Sequence, residues 1–166
     1  MIKYVALGLL FSACGLAGAF LTRAMQCRVR ELEALLRMLT ALRTRIQFSR
    51  VPLRPLLEEV CAEGPPAFLP RCVAGMREGE PFPAAWRGAV ERQGGFGLRE
   101  EDRRLLRSLG ELLGSTDAEG QREGLLLHEG LARQLLEEAR ARRDSKGKAF
   151  FSLGILAGLT LLILFI

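Results

Sequence analysis

The stretch Ala149–Ile166, AFFSLGILAGLTLLILFI, runs for eighteen residues without a charge. As a helix it is long enough to cross the hydrocarbon core of a bilayer. Tyr4–Leu21, YVALGLLFSACGLAGAFL, is its counterpart at the other end. Every acidic residue, and every basic one except Lys3, lies between the two. The reading that follows is a transmembrane helix over residues 1–22, a helical domain over 23–148 and a second transmembrane helix over 149–166.

The flanks set the expected topology. Arg23, Arg28 and Arg30 follow the first apolar run, and Arg140, Arg142, Arg143, Lys146 and Lys148 precede the second. Basic residues next to a span stay on the cytoplasmic side. Both clusters border the central segment, so the expectation is a two-pass membrane protein with a cytoplasmic central domain. An alternative starts from FSAC at Phe11–Cys14, which resembles a lipoprotein cleavage box and would make this a lipidated or secreted helical protein processed at Cys14. Against that, the run stays apolar beyond Cys14 and ends in arginines.

Of the 24 basic residues 21 are arginine, and they face 19 acidic ones. With a pI near 9.5, this balance raises a second alternative, a membrane-tethered Arg-rich nucleic-acid binder. Acids interleave with the arginines almost throughout, which is the pattern of a solvated helical surface, and no nucleic-acid partner is expected. Cys14, Cys27, Cys61 and Cys72 lack zinc-type spacing and have only His128 to complete a site, so they read as buried free thiols.

The chain between the apolar runs is punctuated for helices. From Val29 the apolar positions Leu32, Leu35/Leu36, Leu39, Leu42 and Ile46 follow steps of three and four, predicting an amphipathic helix continuous with the first span. Pro52 opens a short helix ending near Gly64, and Pro65-Pro66 separates it from another ended by Gly79. Pro81 and Pro83 start a third that carries Trp86 among core positions. A fourth runs from about Arg99 to Gly114. Proline in a first turn and glycine past a last one is the expected arrangement. Ser115-Thr116-Asp117 offers an N-cap for a last long helix, with Gly120, Gly124 and Gly130 as weak points and Gly147 as a hinge at the membrane surface. Nothing alternates with period two, so the fold class is all-α: an antiparallel helical bundle flanked by N- and C-terminal transmembrane helices.

Motifs for chemistry are absent. His128 sits in LLLHEG on a leucine-rich helix and reads as a packed or surface histidine. The carboxylates of Glu58-Glu59, Glu100-Glu101-Asp102 and Glu137-Glu138 are consecutive and do not converge. Gly94-Gly95-Phe96-Gly97 lacks the Lys-Ser/Thr of a phosphate loop. No enzyme, cofactor or metal is expected, and what remains are packing surfaces. Arg37, Arg43 and Arg50 lie on a basic stretch with few compensating acids and are the candidate partner-binding residues. Gly154 and Gly158 form a G-x-x-x-G, a face for helix association, which the small residues of the first span would match.

Three segments resemble the stage III sporulation protein AB family. CRVRELEALLRMLTALRTRIQFSRVPL, from Cys27, is similar to the family's charged helix after the first anchor, though Val29 stands where the family tends to have proline and Thr44 or Arg45 where it has an acid. LRSLGELLGSTDAEGQREGLLLHEGLARQL, from Leu106, resembles the family's F/L-G-x-x-L-G-x-x-D region. The terminal LGILAGLTLLILFI resembles its ending. The resemblance implies a component of the mother-cell membrane complex that bridges mother cell and forespore, similar to the inner-membrane platform proteins of type II secretion and type IV pilus machines. It further implies a non-catalytic adaptor that couples a cytoplasmic hexameric ATPase to ring-forming membrane subunits.

Overall fold

The computed structural model describes residues 2–48, 52–92, 98–114 and 118–165; within these, the side chains of 2–19, 21, 47–48, 118–119 and 146–165 are left aside. Six helices follow in order: α1 (Ile2–Phe48), α2 (Leu53–Cys61), α3 (Leu69–Arg77), α4 (Phe82–Arg92), α5 (Glu100–Leu113) and α6 (Ala118–Phe165). Among the described residues there is no strand, so the chain is all-helical.

Two long helices, of 47 and 48 residues, form an antiparallel hairpin, and the four short ones pack as a layer along the C-terminal part of the first and the N-terminal part of the second. Glu33 with Arg140 and Arg43 with Glu129 are cross-paired between α1 and α6, so residue i stands level with about 172 − i. The core follows the three-and-four spacing of the sequence: Leu32, Leu39 and Leu42 from α1, Leu57, Leu69, Trp86 and Leu109 from the layer, and Leu125 from α6 are essentially inaccessible.

The short helices end where glycine lets them. Gly64 and Gly79 have φ of +80° and +97°, a left-handed conformation that an L side chain resists. Helix α6 differs from expectation at Gly147, where the backbone stays helical from Ala118 to Phe165 without a break. Six glycines lower its intrinsic propensity, but the pairing with α1 and α5 supplies the packing that sustains a helix. Gly124 has a reason of its own. A Cβ there would lie 2.4 Å from Leu112 Cδ1, so the glycine lets α5 approach closely.

The two apolar runs lie in the N-terminal part of α1 and the C-terminal part of α6, and α1 passes through Cys14 without interruption. Apart from Phe20, their side chains fall outside the described residues, and among the described residues no helix is long and apolar enough to cross a membrane. The Ser115-Thr116-Asp117 cap and the Gly94–Gly97 loop also lie outside the described residues.

Candidate functional site

About half of the arginine ion pairs among the described residues join one element to another, and the rest lie within a single helix. Among the described residues ten arginines lie within ion-pair distance of a carboxylate: Arg28, Arg43, Arg45, Arg54 and Arg77, then Arg104, Arg107, Arg133, Arg140 and Arg143. Most of these pairs lie at the surface, where each contributes little to stability.

The deepest of these pairs was not legible in the sequence. Arg28, only 5% exposed, donates from Nε to Asp102 Oδ2 and from Nη2 to Asp102 Oδ1, both at 2.8 Å. Asp102 is fully buried, and its Oδ2 also accepts the backbone N–H of Arg99 at 2.7 Å, half of a capping box at the start of α5. One carboxylate thus ties α1 to α5 and begins α5. Glu31 makes a similar tie by accepting the Ala67 N–H at 2.9 Å, ahead of α3.

His128, mostly buried, bridges α5 and α6. Its Nδ1 lies 2.7 Å from the Gly124 carbonyl, which can only accept, so Nδ1 carries a proton; Nε2 lies 3.0 Å from Ser108 Oγ. The acid that would complete a Ser-His-acid triad is replaced here by a main-chain carbonyl. Both residues sit within helices, whose backbone N–H groups are spent on the helix rather than aimed at a developing oxyanion. The pair serves as a polar clasp between the two helices.

The cysteines divide. Cys72 is buried in the core and its thiol is pushed up to about 12, chiefly by burial, with Cys61 and Glu80 adding to the rise. Cys61 is partly buried, and burial raises its thiol too, opposed by the nearby Arg77. Cys27 is exposed, which corrects the expectation of a buried thiol: it lies on the outer face of α1, away from the stripe that packs. The side chain of Cys14 is outside the described residues. Among the described residues no group of His, Cys, Asp or Glu could hold a metal ion.

The candidate partner residues fall in three places. Arg37 is exposed and makes no ion pair among the described residues. Arg43 is only about one-third exposed, with Nε 3.2 Å from Glu129 Oε2 on α6, so it belongs to the hairpin seam rather than to a free face. Thr40 Oγ1 donates to the other oxygen of the same glutamate at 3.2 Å. Arg50 lies outside the described residues. Gly154 and Gly158 lie on α6, with their surroundings undescribed.

Fold and surfaces together define an all-α protein built as a long antiparallel hairpin with a lateral layer of four short helices. A family model described as stage III sporulation protein AB matches residues 3–166. The chain belongs to the stage III sporulation protein AB family. Among solved structures it is similar to one described as stage III sporulation protein AB, with 17% identity and a TM-score of 0.63 over 72% of this chain and 98% of that one. At that identity the likeness speaks to the fold alone. No curated protein matches the chain.

Proposed function

We propose that this protein is a non-catalytic platform of a sporulation membrane complex, anchored by helices at residues 1–22 and 149–166 with residues 23–148 in the cytoplasm of the mother cell. Its role is to couple a cytoplasmic hexameric ATPase to ring-forming membrane subunits of the mother cell–forespore channel. The observation that carries the reading is the hairpin itself. It brings both apolar runs to one end and leaves the packed, charged layer beyond the two basic flanks, as a doubly anchored domain requires. Family membership supports the sporulation setting. Arg37, which the fold leaves unpaired among the described residues, is available for a contact with a partner, whereas Arg43 is already committed to Glu129.

The test uses the full chain in membranes of sporulating cells. Protease added from outside should leave the 23–148 segment intact, and a hexameric ATPase should co-purify after mild detergent extraction. Digestion of the central segment from outside, or extraction without any ATPase under conditions that preserve other membrane complexes, would sink the platform reading.

A further inference from the structure

The outer faces of α1 and α6 differ in chemistry. On α1, Arg23, Arg30 and Arg37 recur at every seventh residue, all exposed and none ion-paired among the described residues. The two carboxylates of α1 are held elsewhere, Glu31 by the Ala67 N–H and Glu33 by Arg140. Past Arg37 the surface drops to Thr40, Ala41 and Thr44, which floor a shallow groove edged by Leu36 and Arg45. On α6, Gly120, Glu123, Leu127, Leu131, Gln134 and Glu138 follow steps of three and four along one exposed stripe that contains no cation. Leu127 and Leu131 are 63% and 40% exposed, so the stripe is a leucine ridge with acids at both ends. Glu137, beside Glu138, is exposed as well, and neither is ion-paired among the described residues.

The hairpin register fixes the heights of these features. With residue i level with about 172 − i, Leu131 stands at the height of Ala41 and Leu127 at that of Arg45. Glu137 and Glu138 stand between Arg30 and Arg37. Ridge therefore matches groove, and acids match arginines, at common heights on two different faces of the same molecule. Copies standing side by side in one orientation would bring the α6 stripe of each against the α1 groove of the next without any shift along the helices. The double anchor proposed above imposes that common orientation, and the inference rests on that reading to this extent.

We propose that copies of this chain associate laterally, with the Leu127/Leu131 ridge of one seated in the Thr40/Ala41/Thr44 groove of its neighbour and Glu137/Glu138 facing the neighbour's Arg30 and Arg37. The leucines contribute apolar burial, and the charges set register and exclude like faces. Two different patches meet, so the contact is heterologous and propagates from copy to copy, closing into a ring where the rotation allows it.

The experiment measures the mass distribution of the full chain in nanodiscs or mild detergent. Arg30→Glu with Arg37→Glu should weaken association at least about tenfold, the scale on which removing charge complementarity acts, and so should Glu137→Arg with Glu138→Arg. Joining all four changes in one chain should restore it, and so should mixing the two double variants. Unchanged helicity by circular dichroism confirms that both doubles are folded. A wild-type chain that stays monomeric, association that persists in both doubles, or a photocrosslinker at Leu131 that captures Leu131 of another copy would each overturn the proposal. Protease sidedness in the same membranes tests the topology separately: external exposure of residues 23–148 with intact charge-swap rescue would remove the cytoplasmic platform reading and leave the lateral contact standing.

Discussion

Arg28 and Asp102 show how one residue pair can organise a layer. Both are buried, the carboxylate completely, and their two 2.8 Å bonds are charge-assisted and bidentate. Desolvating two such groups consumes much of their mutual attraction, so the pair adds little net stability over apolar residues of the same shape, whereas losing one partner strands the other. Asp102→Ala in the full chain should therefore lower stability by about 3–5 kcal/mol, read as a shift of the urea midpoint in detergent. Arg28→Met with Asp102→Leu should recover most of that loss, short of about 1 kcal/mol for the missing cap on Arg99. A double variant as unstable as Asp102→Ala alone would mean that the pair itself carries the stability. The sequence hid this contact for a physical reason. An arginine just past an apolar run satisfies the positive-inside pattern whether or not it is exposed, and three consecutive acids at a helix start look alike until one of them turns inward.

The elements themselves were far more legible, because most boundaries of the short helices are written in proline and glycine. Pro52, Pro65-Pro66 and Pro81 precede helix starts, and Gly64, Gly79 and Gly114 close the helices before them. Assigning Trp86 to the core also holds: it is 2% exposed, edge-on to Phe68 at 5.0 Å, and its Nε1 donates to the Leu106 carbonyl at 2.7 Å. What the pattern could not reveal is how α4 meets α5, since a mid-helix glycine such as Gly110 reads only as a weak point. A Cβ on Gly110 would lie 2.4 Å from Trp86 Cδ1 and 2.5 Å from its Nε1. Gly110→Ala should therefore push the indole off its carbonyl partner, at a cost of about 1–3 kcal/mol from overpacking, despite alanine's better helix propensity. Trp86 is the chain's one tryptophan, so its emission reports the event directly. A red shift together with a lower unfolding midpoint is expected, and unchanged emission with a raised midpoint would show that the helices simply move apart.

For the molecule as a whole, the consequence of the hairpin is that its two apolar ends have a predictable alignment. The Glu33–Arg140 and Arg43–Glu129 pairs set a register that, continued along the helices, brings Gly154 level with Gly18 and Gly158 level with Cys14 and Gly15. On that register the G-x-x-x-G of α6 would meet a small-residue stretch of its own chain, where glycine on both sides would permit the close backbone approach of such pairs. This makes intramolecular pairing the expectation for Gly154 and Gly158 and assigns contacts between copies to the exposed faces of the charged region. Cys14 provides the probe. In a membrane-embedded full chain, Gly158→Cys should form an intrachain disulfide with Cys14 on mild oxidation, because closely packed glycine-faced helices fall within the ~4.4–6.8 Å Cα separation that a disulfide needs. Leu164→Cys, six residues further along, should not. Adding Gly154→Leu to the Gly158→Cys chain should reduce the crosslink by wedging the helices apart. Crosslinked dimers in place of the intrachain product would place the glycine face between copies and overturn the continuous register.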